Sequence, residues 1–345
     1  MVQGHVCDTL VSAATKAQPL YQLQLLFHGT TAPGFLFASG FVAGLPRAPL
    51  SASASLRRAR RLLFILGVGY ALHLPYFSIW KTALQATAAQ KAALLACDAL
   101  QLIAVSQLLM MGLQWIAGRR WIAAAAAAAG GVLAAAPGIW ASGVSRALPP
   151  VLGAYLDNAS VPSTFPLFPY SAFVLAGAVA GAALGRQDPA VRHRRAVAWG
   201  GLLLIAGAVL AFALQGTVPF WGPSPGYALL RLGGLLLLLR VVEGVSRRGW
   251  PGVRTLALLG HETLLVYVLH LYLLWGGVLG PAPLGPWAGT LGFGEGLAVV
   301  ALMVPVLLAA AWAWHRVKMR FPHGATLTLV FLGIAFVYEL VTRPW

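Results

Sequence analysis

Ten apolar stretches, separated by short polar or proline- and glycine-rich segments, make up most of the chain. Each comes close to the roughly 20 helical residues that cross a bilayer core of about 30 Å. Helices that are apolar on every face need lipid or other helices around them. The pattern predicts an all-α polytopic transmembrane helix bundle with spans at approximately 29–45, 62–80, 93–116, 121–140, 167–184, 196–214, 225–245, 255–279, 297–314 and 325–341.

The composition strengthens this prediction. The 345 residues are 59% hydrophobic and 9% charged, whereas a soluble domain is about one quarter charged. This number of charges cannot cover the surface of a water-soluble globule. We therefore expect residues 1–345 to form a single integral membrane domain whose partner is the lipid bilayer.

The basic residues indicate topology rather than nucleic-acid binding. The net charge is +16, but most Lys and Arg residues form short clusters in alternate loops instead of one basic face or tail. Cytoplasmic loops carry such an excess. The predicted cytoplasmic clusters are at Arg47 to Arg61, Arg119 and Arg120, Arg186 to Arg195, Arg247 to Arg254, and Arg316 to Arg320. The C-terminus is then extracytoplasmic.

This orientation places residues 1–28 outside, although no complete span precedes them. Met1 to Ala14 is too short and too polar to cross a bilayer. We therefore expect that an upstream first helix is missing. The alternative is a genuinely external N-terminus.

Ionisable groups inside a membrane are costly and need a partner or a function. Counting residues from the nearest basic or proline boundary predicts that six polar residues share the outer half of the bundle: His5, His28, His73, Asp98, Arg231 and His270. A wet cavity open to the outside would accommodate all of them. His28 is expected at the entrance of a span, beside Gly29 and Thr30.

Structural explanations stay open for several of these residues. Asp98 and Arg231 could form an ion pair between helices, and His73 and His270 could each donate to a carbonyl one turn away or to another helix. Asp98 and Gln101 are three residues apart, so they share a helix face.

A second polar group is predicted on the cytoplasmic side, and it comprises Arg240, Glu243, Arg247, Arg248, His261 and Glu262. Guanidinium groups match phosphate oxygens, but arginine side chains at this level also snorkel to the interface. His261 and His270 lack the four-residue spacing that puts two zinc ligands on one helix face, so we expect no metal.

Several segments resemble one known family. Met1–His5 (MVQGH) is similar to the end of its first helix, and Phe27–Phe41 (FHGTTAPGFLFASGF) to its second. Further similar segments are Cys97–Leu109, Phe165–Arg186 and Leu258–Leu274, which holds a Tyr-x-x-His sequence. Together they resemble the bacterial relatives of heparan-alpha-glucosaminide N-acetyltransferase, within the membrane acyltransferase superfamily.

The resemblance implies an eleven-helix acyltransferase whose first helix this chain lacks. It would pass an acetyl or other acyl group from cytoplasmic acyl-CoA to an amine or hydroxyl of a sugar or glycan outside. His28 is the best match to the family's catalytic histidine, acting as general base or acyl carrier, and His5 is the fallback. The polar residues described above fit this chemistry, because Asp98 or Asp8 could orient the imidazole and Arg231 could stabilise the thioester oxygen. The residues expected at the acceptor are Gln101, His73 and His270, and those expected at the CoA phosphates are Arg240, Arg247, Arg248 and His261.

Two other functions remain open at this stage. A transporter or flippase could use the same polar groups as a translocation path, and a truncated paralogue could be inactive. The composition suggests a bacterial cytoplasmic membrane, and a homodimer is an open expectation.

Overall fold

The structure is a computed structural model that describes residues 1–45, 51–277 and 280–343. Its helices are α1 (Val2–Leu10), α2 (Ala13–Lys16), α3 (Pro19–Gly44), α4 (Ala52–Leu72), α5 (Ile79–Gln85), α6 (Ala88–Leu95), α7 (Ala99–Ala117), α8 (Trp121–Ser142), α9 (Pro150–Leu156), α10 (Leu167–Leu184), α11 (Pro189–Ala213), α12 (Pro225–Arg247), α13 (Gly252–His261), α14 (Thr263–Trp275), α15 (Phe293–Arg320) and α16 (Pro322–Thr342).

Within the described residues, six helical stretches are long and apolar enough to cross a membrane, and a seventh is counted if the bent pair α13 and α14 forms one span. The stretch Ala99–Ser142 comprises α7 and α8. Its 44 residues exceed what one crossing needs. Helix α16 buries almost none of its apolar surface against protein, as expected of a helix that faces lipid. The chain is an all-α polytopic membrane helix bundle, as predicted.

The predicted helix limits need correction in several places. The helix of the first span begins at Pro19 rather than at residue 29. The residues Gly29, Thr30 and Pro33, which suggested a boundary, lie inside this helix. His28 therefore lies inside α3 and not at a span entrance. Helix α4, which corresponds to the second predicted span, ends at Leu72 rather than at residue 80. Helix α7 begins at Ala99, after a break at residues 96–98. The eighth predicted span is broken at Glu262, where α13 and α14 meet at 80°.

The basic clusters lie at or near helix ends, and Arg119 and Arg120 occupy the short turn between α7 and α8. Several residues predicted in loops belong to helices instead, because Arg57 to Arg61 lie in the first turns of α4 and Arg192 to Arg195 lie in the first turns of α11. The predicted loop residue Arg47 lies outside the described residues.

The chain divides into two compact units. The first comprises residues 1–31, 76–85 and 244–345, and the second comprises residues 32–75 and 86–243. In the first unit α1 packs on α14 and α15 through Val6, Leu10, Leu274 and Met303. Three backbone hydrogen bonds also join residues 9–12 to the loop at residues 289–291. The short first helix is thereby fixed at both its apolar face and its C-terminal end.

In the second unit, α10 lies at the centre of the core and contacts α3 at very close range. A Cβ atom at Gly177 would overlap the carbonyl oxygen of Phe37, and Gly181, Gly40 and Gly44 each face a backbone carbonyl in the same way. Small residues allow two membrane helices to approach this closely. Gly177 and Gly181 therefore have a packing role between α10 and α3.

Candidate functional site

The first unit holds a cluster of four polar side chains, His5, Asp8, His28 and His270, which we call the histidine cluster. His5 Nδ1 lies 3.0 Å from His270 Nε2, and the two rings are stacked with centroids 5.1 Å apart. His270 Nδ1 lies 2.9 Å from the carbonyl oxygen of Val266, one turn earlier in α14. The bond that the sequence suggested for His270 is therefore present, and His270 also reaches another helix.

His28 contacts the same short helix through different partners. Its Nε2 atom lies 3.3 Å from a carboxylate oxygen of Asp8, and Tyr21 donates to the other oxygen of Asp8 at 3.0 Å. The Nδ1 atom of His28 is buried without a hydrogen-bond partner among the described residues. Gly4 lies directly against this ring, because a Cβ atom there would overlap the imidazole. Both nitrogens of His28 are thus enclosed.

The local sequence explains why α1 can present these groups. In α1 the buried face consists of Gly4, Val6, Cys7 and Leu10, which leaves His5 and Asp8 beside that face rather than within it. Gly4 makes room for the His28 ring, since any side chain at that position would occupy its place. A nine-residue helix with one buried apolar face can thereby carry an imidazole and a carboxylate beside that face.

The surroundings favour the neutral form of His5 and the charged form of Asp8. Burial is the largest cause that lowers the pKa of His5, to about 4, and the nearby His270 lowers it further. For Asp8, burial raises the pKa, but hydrogen bonds from His28 and Tyr21 outweigh burial and bring it below the usual value. At neutral pH the cluster therefore combines a neutral imidazole at residue 5 with a carboxylate at residue 8.

The second unit contains a separate polar group around His73. Asp98 caps the first turn of α7, where it accepts from the backbone N–H of Ala99, and its other oxygen lies 3.6 Å from His73 Nε2. Gln101, which is 1% exposed, has its Nε2 atom 3.3 Å from His73 Nδ1. His73 Nδ1 also lies 2.9 Å from the carbonyl oxygen of Gly69. The predicted shared face of Asp98 and Gln101 is confirmed, and both meet the same imidazole.

Arg231 lies beside two aromatic side chains. Its guanidinium lies over the rings of Trp221 and Tyr227, 5.9 and 5.3 Å from their centroids. The ionic contact of Asp98 is made with His73 instead of the Asp98–Arg231 pair considered from the sequence. His5, His28 and His270 thus meet within one unit, while His73, Asp98, Gln101 and Arg231 belong to the other.

The arginines predicted on the cytoplasmic side belong to both units. In the second unit, Glu243 binds both Arg240 and Arg192, the latter at 2.6 Å. Arg247 and Arg248, which belong to the first unit, are exposed at the end of α12. The carboxylate of Glu243 contacts two guanidiniums, so it offsets part of the basic charge at Arg240.

His261 and Glu262 lie at the bend between α13 and α14. The ring of His261 stacks on that of His315 with centroids 6.3 Å apart. Glu262 is buried and binds Lys318 at 2.6 Å and His315 at 3.0 Å. This carboxylate therefore holds α15 at the break in the eighth predicted span.

Sequence reasoning missed Tyr21, Gly4 and the partners of Glu262. A carboxylate can accept several hydrogen bonds, so Asp8 could have prompted a search for a nearby donor such as Tyr21. Nothing in the sequence marked Gly4 as the neighbour of His28, because the two residues meet only in the folded chain. In the described ranges, no group of three or more His, Cys, Asp or Glu side chains is arranged to hold a metal ion.

Comparison with known families now adds to this geometry. A family model described as "Acyltransferase domain" matches residues 1–315. The chain therefore belongs to the acyltransferase domain family, and the predicted transmembrane acyltransferase class is confirmed. Neither a search of curated proteins nor a search of solved structures found a match. The closer likeness to heparan-alpha-glucosaminide N-acetyltransferase stays a prediction.

Proposed function

We propose that this membrane acyltransferase moves an acetyl or other acyl group from cytoplasmic acyl-CoA to an amine or hydroxyl of a sugar or glycan on the extracytoplasmic side, with His5 as the general base. The observation that carries the proposal is the state of His5. Its Nδ1 is engaged by His270, its pKa is about 4, and its Nε2 has no hydrogen-bond partner among the described side chains and backbone groups.

The chemistry requires little beyond positioning and proton removal. A thioester is already activated, so the acceptor nitrogen or oxygen attacks the carbonyl carbon, the carbon–sulfur bond breaks, and CoA leaves. His5 Nε2 would take the proton of the acceptor and return it to the departing sulfur. An imidazole with a low pKa is neutral at pH 7 and readily gives up the proton that it has received.

The geometry favours His5 over His28 as the base, which reverses the order suggested by the sequence. Asp8 faces Nε2 of His28, and Gly4 lies against the side of the ring that carries the buried Nδ1. Neither nitrogen of His28 is left for an acceptor. We assign His28 and Asp8 to the support of α1, which carries His5.

The remaining assignments come from the sequence and are part of the proposal. Arg240, Arg247, Arg248 and His261 would hold the CoA phosphates. His270 would lie beside the acceptor, because it contacts His5. The roles suggested by the sequence for His73, Gln101, Asp98 and Arg231, which belong to the other unit, stay predictions. The protein would work in a bacterial cytoplasmic membrane with its C-terminus outside, as a monomer or homodimer.

The test uses purified protein in lipid nanodiscs with acetyl-CoA and glucosamine. We expect CoA release that glucosamine accelerates, with N-acetylglucosamine as product. His5→Ala should abolish the acceleration. His323→Ala is the matched control, because His323 is exposed and lies outside the matched residues. Full activity of His5→Ala would exclude His5 as the base. Uptake of amino sugar into liposomes without CoA release would instead favour a transporter.

A further inference from the structure

His270 is buried, at 1% exposure, and it stands between His5 and a backbone carbonyl. A carbonyl oxygen can only accept a hydrogen bond. The contact of His270 Nδ1 with the Val266 oxygen therefore places a proton on Nδ1. In a neutral imidazole the other nitrogen, Nε2, then carries a lone pair. This lone pair points at His5 Nδ1, 3.0 Å away.

The direction of these two hydrogen bonds determines which nitrogen of His5 can act as a base. Because His270 Nε2 accepts, His5 Nδ1 must carry the proton and donate. The lone pair of neutral His5 is then on Nε2. From this order we propose that His270 is a positioning residue, which fixes the tautomer of His5 and keeps its Nε2 unprotonated for the acceptor. This inference rests on the proposed function of His5.

The same bond also helps during proton transfer. When Nε2 of His5 takes the proton of the attacking group, His5 becomes an imidazolium, and its Nδ1–H bond to His270 becomes charge-assisted. Such bonds are roughly twice as strong as neutral ones. An aromatic ring packs beside each of the two imidazoles. The ring centroid of Trp275 lies 5.5 Å from that of His5, and the ring centroid of Tyr267 lies 5.5 Å from that of His270. His270 would thus stabilise the charged intermediate without contacting the reacting atoms.

Two variants at residue 270 separate this role from simple packing. In His270→Gln the amide oxygen stands near the position of Nε2 and can still accept from His5. In His270→Phe the ring is retained but the acceptor is lost. We expect His270→Phe to lower kcat by about 10- to 100-fold, with KM within about twofold, which corresponds to a lost hydrogen bond to a charged group. His270→Gln should recover most of that loss.

A second measurement does not depend on activity. In protein labelled with nitrogen-15 histidine and held in nanodiscs, the His5 signals are assigned by their absence in His5→Gln. We expect a protonated Nδ1 and an unprotonated Nε2 in the wild type and in His270→Gln, and a mixture of tautomers in His270→Phe. An unchanged tautomer in His270→Phe, or a kcat within threefold of the wild type, would overturn the proposal. The expected tautomers in a protein that never transfers acyl groups would refute the proposed function and leave the tautomer control by His270 standing.

Discussion

The neutral state of His5 makes stability depend on pH. The ordinary pKa of a histidine is 6.5, and burial, followed by the influence of His270, lowers the pKa of His5 to about 4. The unfolded chain therefore binds more protons between these values. The stabilisation is complete above pH 6.5 and is lost as the pH falls toward 4. A difference of about 2.5 in pKa, at about 1.4 kcal/mol for each tenfold change in proton affinity, gives about 3 kcal/mol.

The substitution His5→Gln tests this dependence. Glutamine retains an N–H donor toward His270 but has no proton to gain in this range. We would measure thermal unfolding by tryptophan fluorescence in detergent between pH 7.5 and 4.5. The Tm of the wild type should fall by roughly 5 °C more than that of His5→Gln. The exposed His323→Gln variant should behave like the wild type. Equal pH slopes for the wild type and His5→Gln would refute the assignment of a buried neutral imidazole to residue 5.

Three further predictions concern the contacts of single residues. Gly4→Ala should displace the His28 ring and lower acyl transfer by about tenfold while the protein stays folded, which activity and circular dichroism would show; wild-type activity would contradict the contact. Gly177→Ala should lower the free energy of unfolding by about 1–3 kcal/mol. Gly201 faces open space, so Gly201→Ala should be neutral or stabilising. Denaturation of both variants checks this, and equal effects would count against the close helix contact. Glu262→Ala should cost about 1–2 kcal/mol, since its two partners, Lys318 and His315, are about one third exposed, and an unchanged Tm would argue against that pairing.

The class of fold could be predicted from the sequence because every apolar stretch must leave water. The ends of the helices could not, because they depend on single hydrogen bonds that a hydropathy pattern does not contain. Asp98, for example, caps α7 by accepting from Ala99, so the helix begins at residue 99, six residues after the predicted beginning of the span at residue 93. Helix α3 begins at Pro19, ahead of glycine and threonine residues that suggested a boundary further along the chain.

The candidate site was predictable only where its partners are close in sequence. The spacing of Asp98 and Gln101 indicated a shared face, and the structure places both at His73. The contact between His5 and His270 joins residues 265 positions apart, and no spacing rule describes such a pair. The sequence favoured His28 over His5 as the candidate base, and our proposal reverses that order. Only the fold shows which ring nitrogens of the two histidines are covered.

The attachment of α1 to the 289–291 loop and to α14 has a consequence for synthesis. During translation, the imidazole at position 5 leaves the ribosome long before the segment that will supply its hydrogen-bond acceptor. Any nascent or prematurely terminated product lacking α14 carries an unrestrained histidine whose proton can occupy either nitrogen. The proton of His5 is therefore placed only after α14 and the 289–291 loop have been made and have packed on α1.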